Sequence, residues 1–151
     1  MAILFVPLCA IGEVRINEIA WMGSNNGGTS SANATDEWIE LFNNEDTTVT
    51  LEGWTLSIVE KKDISLSGTI TAHGFYLIER TDDNSVPSVT ADLTHSFGNG
   101  LSNSGEILRV ITPGGNVSDE IVGGENWIQV GGNNNTKETA QLTEFGWVTA
   151  V

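Results

Sequence analysis

No stretch of this 151-residue chain has sustained helical periodicity; short runs of alternating apolar and polar residues recur instead, bounded by turn residues. The alternation is cleanest in "GWTLSIV", which begins at Gly53. There Trp54, Leu56 and Ile58 fall on one face, and Thr55 and Ser57 on the other. A strand of this kind buries one face and wets the other. Trp54, Leu56 and Ile58 are therefore expected in the core, where burial of the Trp contributes roughly 3 kcal/mol or more.

The same reading places strands at Val14 to Trp21 and Glu37 to Asn43. Between them lies a long Gly/Ser/Asn loop, expected to be exposed and mobile. In "DEWIELFNN", from Asp36 to Asn44, Ile39 and Leu41 point to the core side. Trp38, Glu40 and Phe42 point the other way, so a carboxylate stands between two large aromatics. "ISLSGTI" reads as a weaker strand near a sheet edge, "AHG" as a turn into "FYLIER", and Thr81 to Asn103 as irregular. "ILRVI" and "VSDEIV" read as a hairpin across "TPGGN", whose glycines supply positive φ. The sum is an all-β chain of about seven to nine short strands, a sandwich or a barrel. Pattern alone does not separate those two.

Composition narrows the partners. Six Lys/Arg stand against 20 Asp/Glu, a formal net charge of −14. Nucleic acid needs a cationic track, and Lys61-Lys62 is the only basic cluster, so the balance argues against DNA or RNA. Cys9 is the only cysteine, which leaves no intrachain disulfide. Residues 1–13 open with "MAILFVPLCAIG", too short an apolar run for a transmembrane helix. It reads as a secretory signal lacking its basic end, with cleavage near Ala10 or Gly12. The alternative is a strand, Ile3 to Val6, paired inside the fold. Residues 14–151 are expected to form one domain.

"VRINEIAW" at Val14, "DEWIELFNN" at Asp36, "LEGWTL" at Leu51, "ITAHGFYLIER" and "LSNSGEILRVITPGGNVSDEIV" follow one another in order. This series resembles a bacterial lamin-tail domain from Val14 to about Val122, and "NTKETAQLTEFGWVTA" resembles the ends of such domains. The resemblance implies an immunoglobulin-like β-sandwich. It also implies a non-catalytic module, in bacteria a secreted or cell-surface accessory domain. The chain's acidity and the absence of a coiled-coil rod leave no ground for carrying over the partners of nuclear lamins.

Glu18 and Glu40 each interrupt an otherwise apolar strand. If those strands pair, the two charges are brought close together, and like charges facing each other are destabilising unless a cation intervenes. Two carboxylates also suggest a hydrolase, but that chemistry needs a cleft and one raised pKa. The scaffold reading pairs them with Arg15, Arg80 or Arg109, or leaves them in solvent. Asp82 and Asp83 in "TDDNS" offer calcium the oxygen ligands it prefers, without the spacing of an EF-hand loop. Turn formation accounts for them equally. His73 is expected in a turn and His95 in a loop, with no zinc-type spacing and no other cofactor signature. Trp127 and Trp147 sit in polar, Gly-rich surroundings, where a Trp stacks on a sugar, anchors a partner or folds back as a cap. These features lead to a secreted or surface module that binds protein or glycan. A structural spacer or assembly unit is the alternative, and a carboxylate hydrolase the third reading.

Overall fold

The computed structural model describes residues 13–24 and 33–150. The apolar start of the chain, with its signal-or-strand alternatives, lies outside the described residues, as does the middle of the long Gly/Ser/Asn loop.

Twelve strands are found among the described residues, in three sheets. They are β1 (Val14–Ala20), β2 (Trp38–Asn43), β3 (Val49–Thr50), β4 (Thr55–Ile58), β5 (Lys62–Ser65), β6 (Thr69–Ile70), β7 (Phe75–Arg80), β8 (Leu93–His95), β9 (Ile107–Ile111), β10 (Val117–Val122), β11 (Ala140–Thr143) and β12 (Gly146–Thr149). A six-stranded sheet runs β12-β11-β1-β2-β7-β8, a four-stranded sheet runs β10-β9-β4-β5, and β3-β6 form a small ribbon. The count exceeds the expected one because β3, β6 and β8 are only two or three residues long.

The two larger sheets enclose one core. Ile39 and Leu41 of β2 and Leu56 and Ile58 of β4 are fully buried in it, and Trp54 is nearly so. Period-two alternation explains this directly, because one face of each strand is apolar. Each such side chain contributes about 1.5–3 kcal/mol through burial. Ser57, expected on the wet face, is almost buried, and its hydroxyl donates to Asp63 Oδ1 at 2.5 Å.

Three local expectations are corrected. "ISLSGTI" is not one strand. It breaks after Ser65, and its second half pairs with β3 through Val49 and Ile70. The irregular stretch after Thr81 contains β8, parallel to β7, so His95 ends a strand rather than lying in a loop. The long loop is anchored at both ends: Met22 and Asp36 are buried, and Ser24 bridges Asn33. The β9–β10 hairpin is as expected, with Gly115 at φ 81° in its turn.

β1 holds the two sheets together along one side. Its first half has no strand partner opposite β2. Instead, Ser118 Oγ accepts from Val14 N–H (3.2 Å) and donates to Val14 O (2.7 Å), while Asp119 Oδ2 accepts from Ile16 N–H at 2.8 Å. Side chains of β10 thus satisfy backbone groups that an open edge would leave unpaired.

Candidate functional site

The outer face of the six-stranded sheet carries the chain's most unusual charge arrangement. β1 and β2 pair antiparallel, but the register shifts between Ile16 and Glu18. The extra residue, Asn17, makes a β-bulge. Consequently Asn17 and Glu18 are both only partly buried and face out together, while Ile16 and Ile19 both reach the core. The bulge sets Glu18 directly opposite Glu40. Gln141 and Val148 continue the same row across β11 and β12.

The two carboxylates are held separately. Asn17 Nδ2 donates to Glu40 Oε1 at 2.8 Å, and Thr139 Oγ1 donates to Glu18 Oε1. Burial pushes the Glu40 carboxyl above its ordinary value; the Asn17 hydrogen bond opposes that shift and the Glu18 charge adds to it. The expected arginine partners are elsewhere. Arg80 pairs with Glu37 (3.1 Å), Arg109 pairs with Glu120, and Arg15 lies over the Phe42 ring at 5.0 Å from its centroid. Among the described residues no Lys, Arg or His forms an ion pair with Glu18 or Glu40.

The outer face of the four-stranded sheet makes a useful contrast. Glu120, Arg109, Ser57 and Asp63 form a row across it, in which Arg109 bonds Glu120 and Ser57 bonds Asp63. On that face Glu120 has a cation and no two carboxylates are paired in register, whereas Glu18 and Glu40 are paired in register without one.

Two residues along β2 from Glu40, and three along β1 from Glu18 across the bulge, a second row crosses the six-stranded sheet. Arg15, Phe42 and Phe75 are cross-strand neighbours on β1, β2 and β7. The Phe42 and Phe75 centroids are 5.2 Å apart, and Phe75 is 54% exposed. His73, in the expected turn, lies beside Phe42 and contacts Asp46 at 2.9 Å. At the other end of the face the segment after β7 covers the sheet. Its Ser85 and Val86 N–H groups donate to Glu79, which is fully buried.

Of the aromatic residues expected to bind ligand, Trp127 is not available. It is fully buried, stacks on Trp21 and donates from Nε1 to Ser102 O at 2.7 Å. Trp147 packs half-buried against the core from β12. The capping alternative therefore describes Trp127, whereas Trp147 is a strand residue that stays partly exposed. Asp83 Oδ1 accepts from Ala91 N–H at 2.8 Å, which closes its loop. Neither Asp83 nor Asp82 belongs to a group of three or more metal-ligating side chains among the described residues.

Sequence reasoning missed a buried ion pair. Glu37, just before β2, receives Arg80 Nη1 (3.1 Å) and Leu101 N–H (2.9 Å) on one oxygen. Burial pushes its carboxyl up to about 7, against the lowering effects of Leu101, Arg80 and Lys61. Gly100, at φ 86°, lies so close to this pair that any Cβ would collide with both side chains. The arrangement clamps the segment before β9 onto the end of the sandwich.

A cleft of about 360 Å³ lies at the other sheet, lined by Val59, Glu60, Gly105, Glu106, Ile107, Val122 and Gly124. It contains neither Glu18 nor Glu40, so the acid pair of the hydrolase reading stands on a sheet face and not in that cleft. No helix among the described residues is long and apolar enough to cross a membrane.

No curated protein matches the chain. A family model described as the Lamin Tail Domain matches residues 9–125, which takes in β1 to β10 with the acid pair and the Arg15 row. An almost wholly β chain folded as two packed sheets agrees with the immunoglobulin-like sandwich of that family, and the chain belongs to the lamin tail domain family.

Proposed function

We propose that the chain is a non-catalytic interaction module, secreted or displayed at the cell surface, that binds protein or glycan through the outer face of its six-stranded sheet. Family membership supports an interaction or structural role. The observation that selects the face is the Glu18–Glu40 pairing. Two carboxylates stand in register with no cation, while on the opposite outer face Glu120 has Arg109 and no two carboxylates are paired in register. Like charges in this position are unfavourable in the free protein. They become useful when a partner supplies the donors.

The test is to probe glycan and protein arrays with the full chain and with a Glu18→Gln/Glu40→Gln/Phe75→Ser variant. Loss of binding in that variant, with retention in Arg109→Gln, supports the reading. No ligand on either array, or binding indifferent to the outer-face changes, defeats it. Secretion is tested separately, by locating the chain after expression with its own N-terminus.

A structural or assembly role is favoured by one observation. Phe145 is 90% exposed at the turn before the edge strand β12, and Val148 within that strand is also exposed. Light scattering over a concentration series tests it; a strict monomer throughout counts against assembly.

A further inference from the structure

The Arg15 row has a property that the acid pair lacks: an unspent cation. Arg15 forms no ion pair among the described residues, and its Nε is buried without a hydrogen-bond acceptor. No hydrogen bond to a described residue occupies its terminal nitrogens either. Asp119, whose carboxylate feels the Arg15 charge, is committed to the N–H groups of Ile16 (2.8 Å) and Glu120 (3.0 Å). An arginine left in this state within a chain of net charge −14 is unusual, because carboxylates are abundant.

The ring beneath it explains how it stays in place. The guanidinium lies over Phe42, opposite it in register, and the electron-rich ring face attracts the cation. The ring face offers the guanidinium no lone-pair acceptor, so this contact leaves its N–H groups unsatisfied. That planar fork matches a carboxylate through two parallel hydrogen bonds, which lysine does not reproduce. Next in the row, Phe75 presents a ring that is more than half exposed.

We infer that the Arg15–Phe42–Phe75 row binds a sugar residue carrying one carboxylate, a uronic acid type of ligand. The carboxylate is received by the Arg15 terminal nitrogens, and the C–H face of the sugar ring lies on Phe75. Two features favour a sugar over an acidic polypeptide. An exposed ring on an open sheet face suits a flat, rigid C–H surface. The chain's strong negative charge repels a partner with many carboxylates, whereas a single carboxylate beside one unpaired arginine is matched. The inference rests on the outer face being the binding face, and names one ligand class for it.

The experiment is an NMR titration of the full chain, following backbone amides of β1, β2 and β7 and the Arg15 side-chain N–H. The probes are methyl glucuronide, methyl glucoside and N-acetylglutamate amide. Saturable shifts along the row with the glucuronide, at least about tenfold weaker with each of the other two, are expected. Arg15→Lys keeps the charge but not the fork, and Phe75→Ala removes the platform; each should weaken glucuronide binding about tenfold while the remaining spectrum stays folded. Equal binding of the glucoside shows that Arg15 is not the recognition group and overturns the inference. Equal binding of N-acetylglutamate amide shows that the carboxylate alone is read and overturns the sugar assignment. No saturable shift with any probe also overturns it. In that event an array ligand that still requires the outer face would leave the broader functional reading standing.

Discussion

Trp21 and Trp127 lie stacked in the core, with ring centroids 5.6 Å apart and planes 7° from parallel. Each indole N–H is spent on a backbone carbonyl, Gly131 for Trp21 (2.9 Å) and Ser102 for Trp127. The stack ties the segment after β10 to the end of β1. Trp127→Ala should therefore cost about 3–5 kcal/mol, from lost burial and the cavity left behind. Urea denaturation checks this: the midpoint should fall with the slope unchanged. A midpoint within error of the parent protein would mean that the stack contributes nothing to the fold.

Glu40→Gln should have the opposite sign. The amide oxygen can still accept from Asn17, and the repulsion from Glu18 disappears. A gain of about 0.5–1 kcal/mol at pH 7 is expected, the scale of a cross-strand charge pair. The gain should shrink at high salt. Destabilisation by several kcal/mol would instead indicate that the carboxylate has a cationic partner.

What the sequence made legible was local alternation. Ile39, Leu41, Trp54, Leu56 and Ile58 are core residues because a period of two leaves them no other face. The bulge at Asn17 was also written locally, as a gap of three between Ile16 and Ile19 where alternation requires two. The remaining features depend on distant partners. "GGENWIQVGG" is polar and Gly-rich around Trp127, and only the return of the chain to Trp21 buries that indole. Glu37 looks like the polar start of a strand until β7 brings Arg80 to it and Leu101 closes over it. Arg15 showed no sign of being unpaired, because its state depends on where every other carboxylate goes.

Stability should fall as pH rises through the acid range. The Glu37 carboxyl titrates at about 7 in the folded chain, against 4.5 when unperturbed. Between those values the folded state holds more protons than the unfolded one, so raising the pH favours unfolding. Burial also pushes the Glu40 and Asp119 carboxyls up, with the same sign. Urea midpoints measured from pH 4.5 to pH 7 should therefore decline. The Glu37 share is on the order of 1–3 kcal/mol. Glu37→Gln should remove much of the slope. A slope unchanged in that variant would mean that Glu37 is ionised throughout the range.

Neighbouring acids on β10 should differ sharply in importance. Asp119 turns inward to the β1 edge and Glu120 outward to Arg109. Asp119→Ala leaves the Ile16 N–H without its acceptor on a strand that holds the two sheets together. A buried donor abandoned in this way costs about 1–3 kcal/mol. Glu120→Ala breaks an ion pair whose side chains are 38% and 40% exposed, and such pairs contribute about 0–1 kcal/mol. Amide exchange separates the two effects. In Asp119→Ala the Ile16 N–H should lose protection ahead of its β1 neighbours, because its specific acceptor is gone. In Glu120→Ala it should keep it. Equal loss in both variants would show that β10 stabilises β1 through packing alone and that the Asp119 hydrogen bond is incidental.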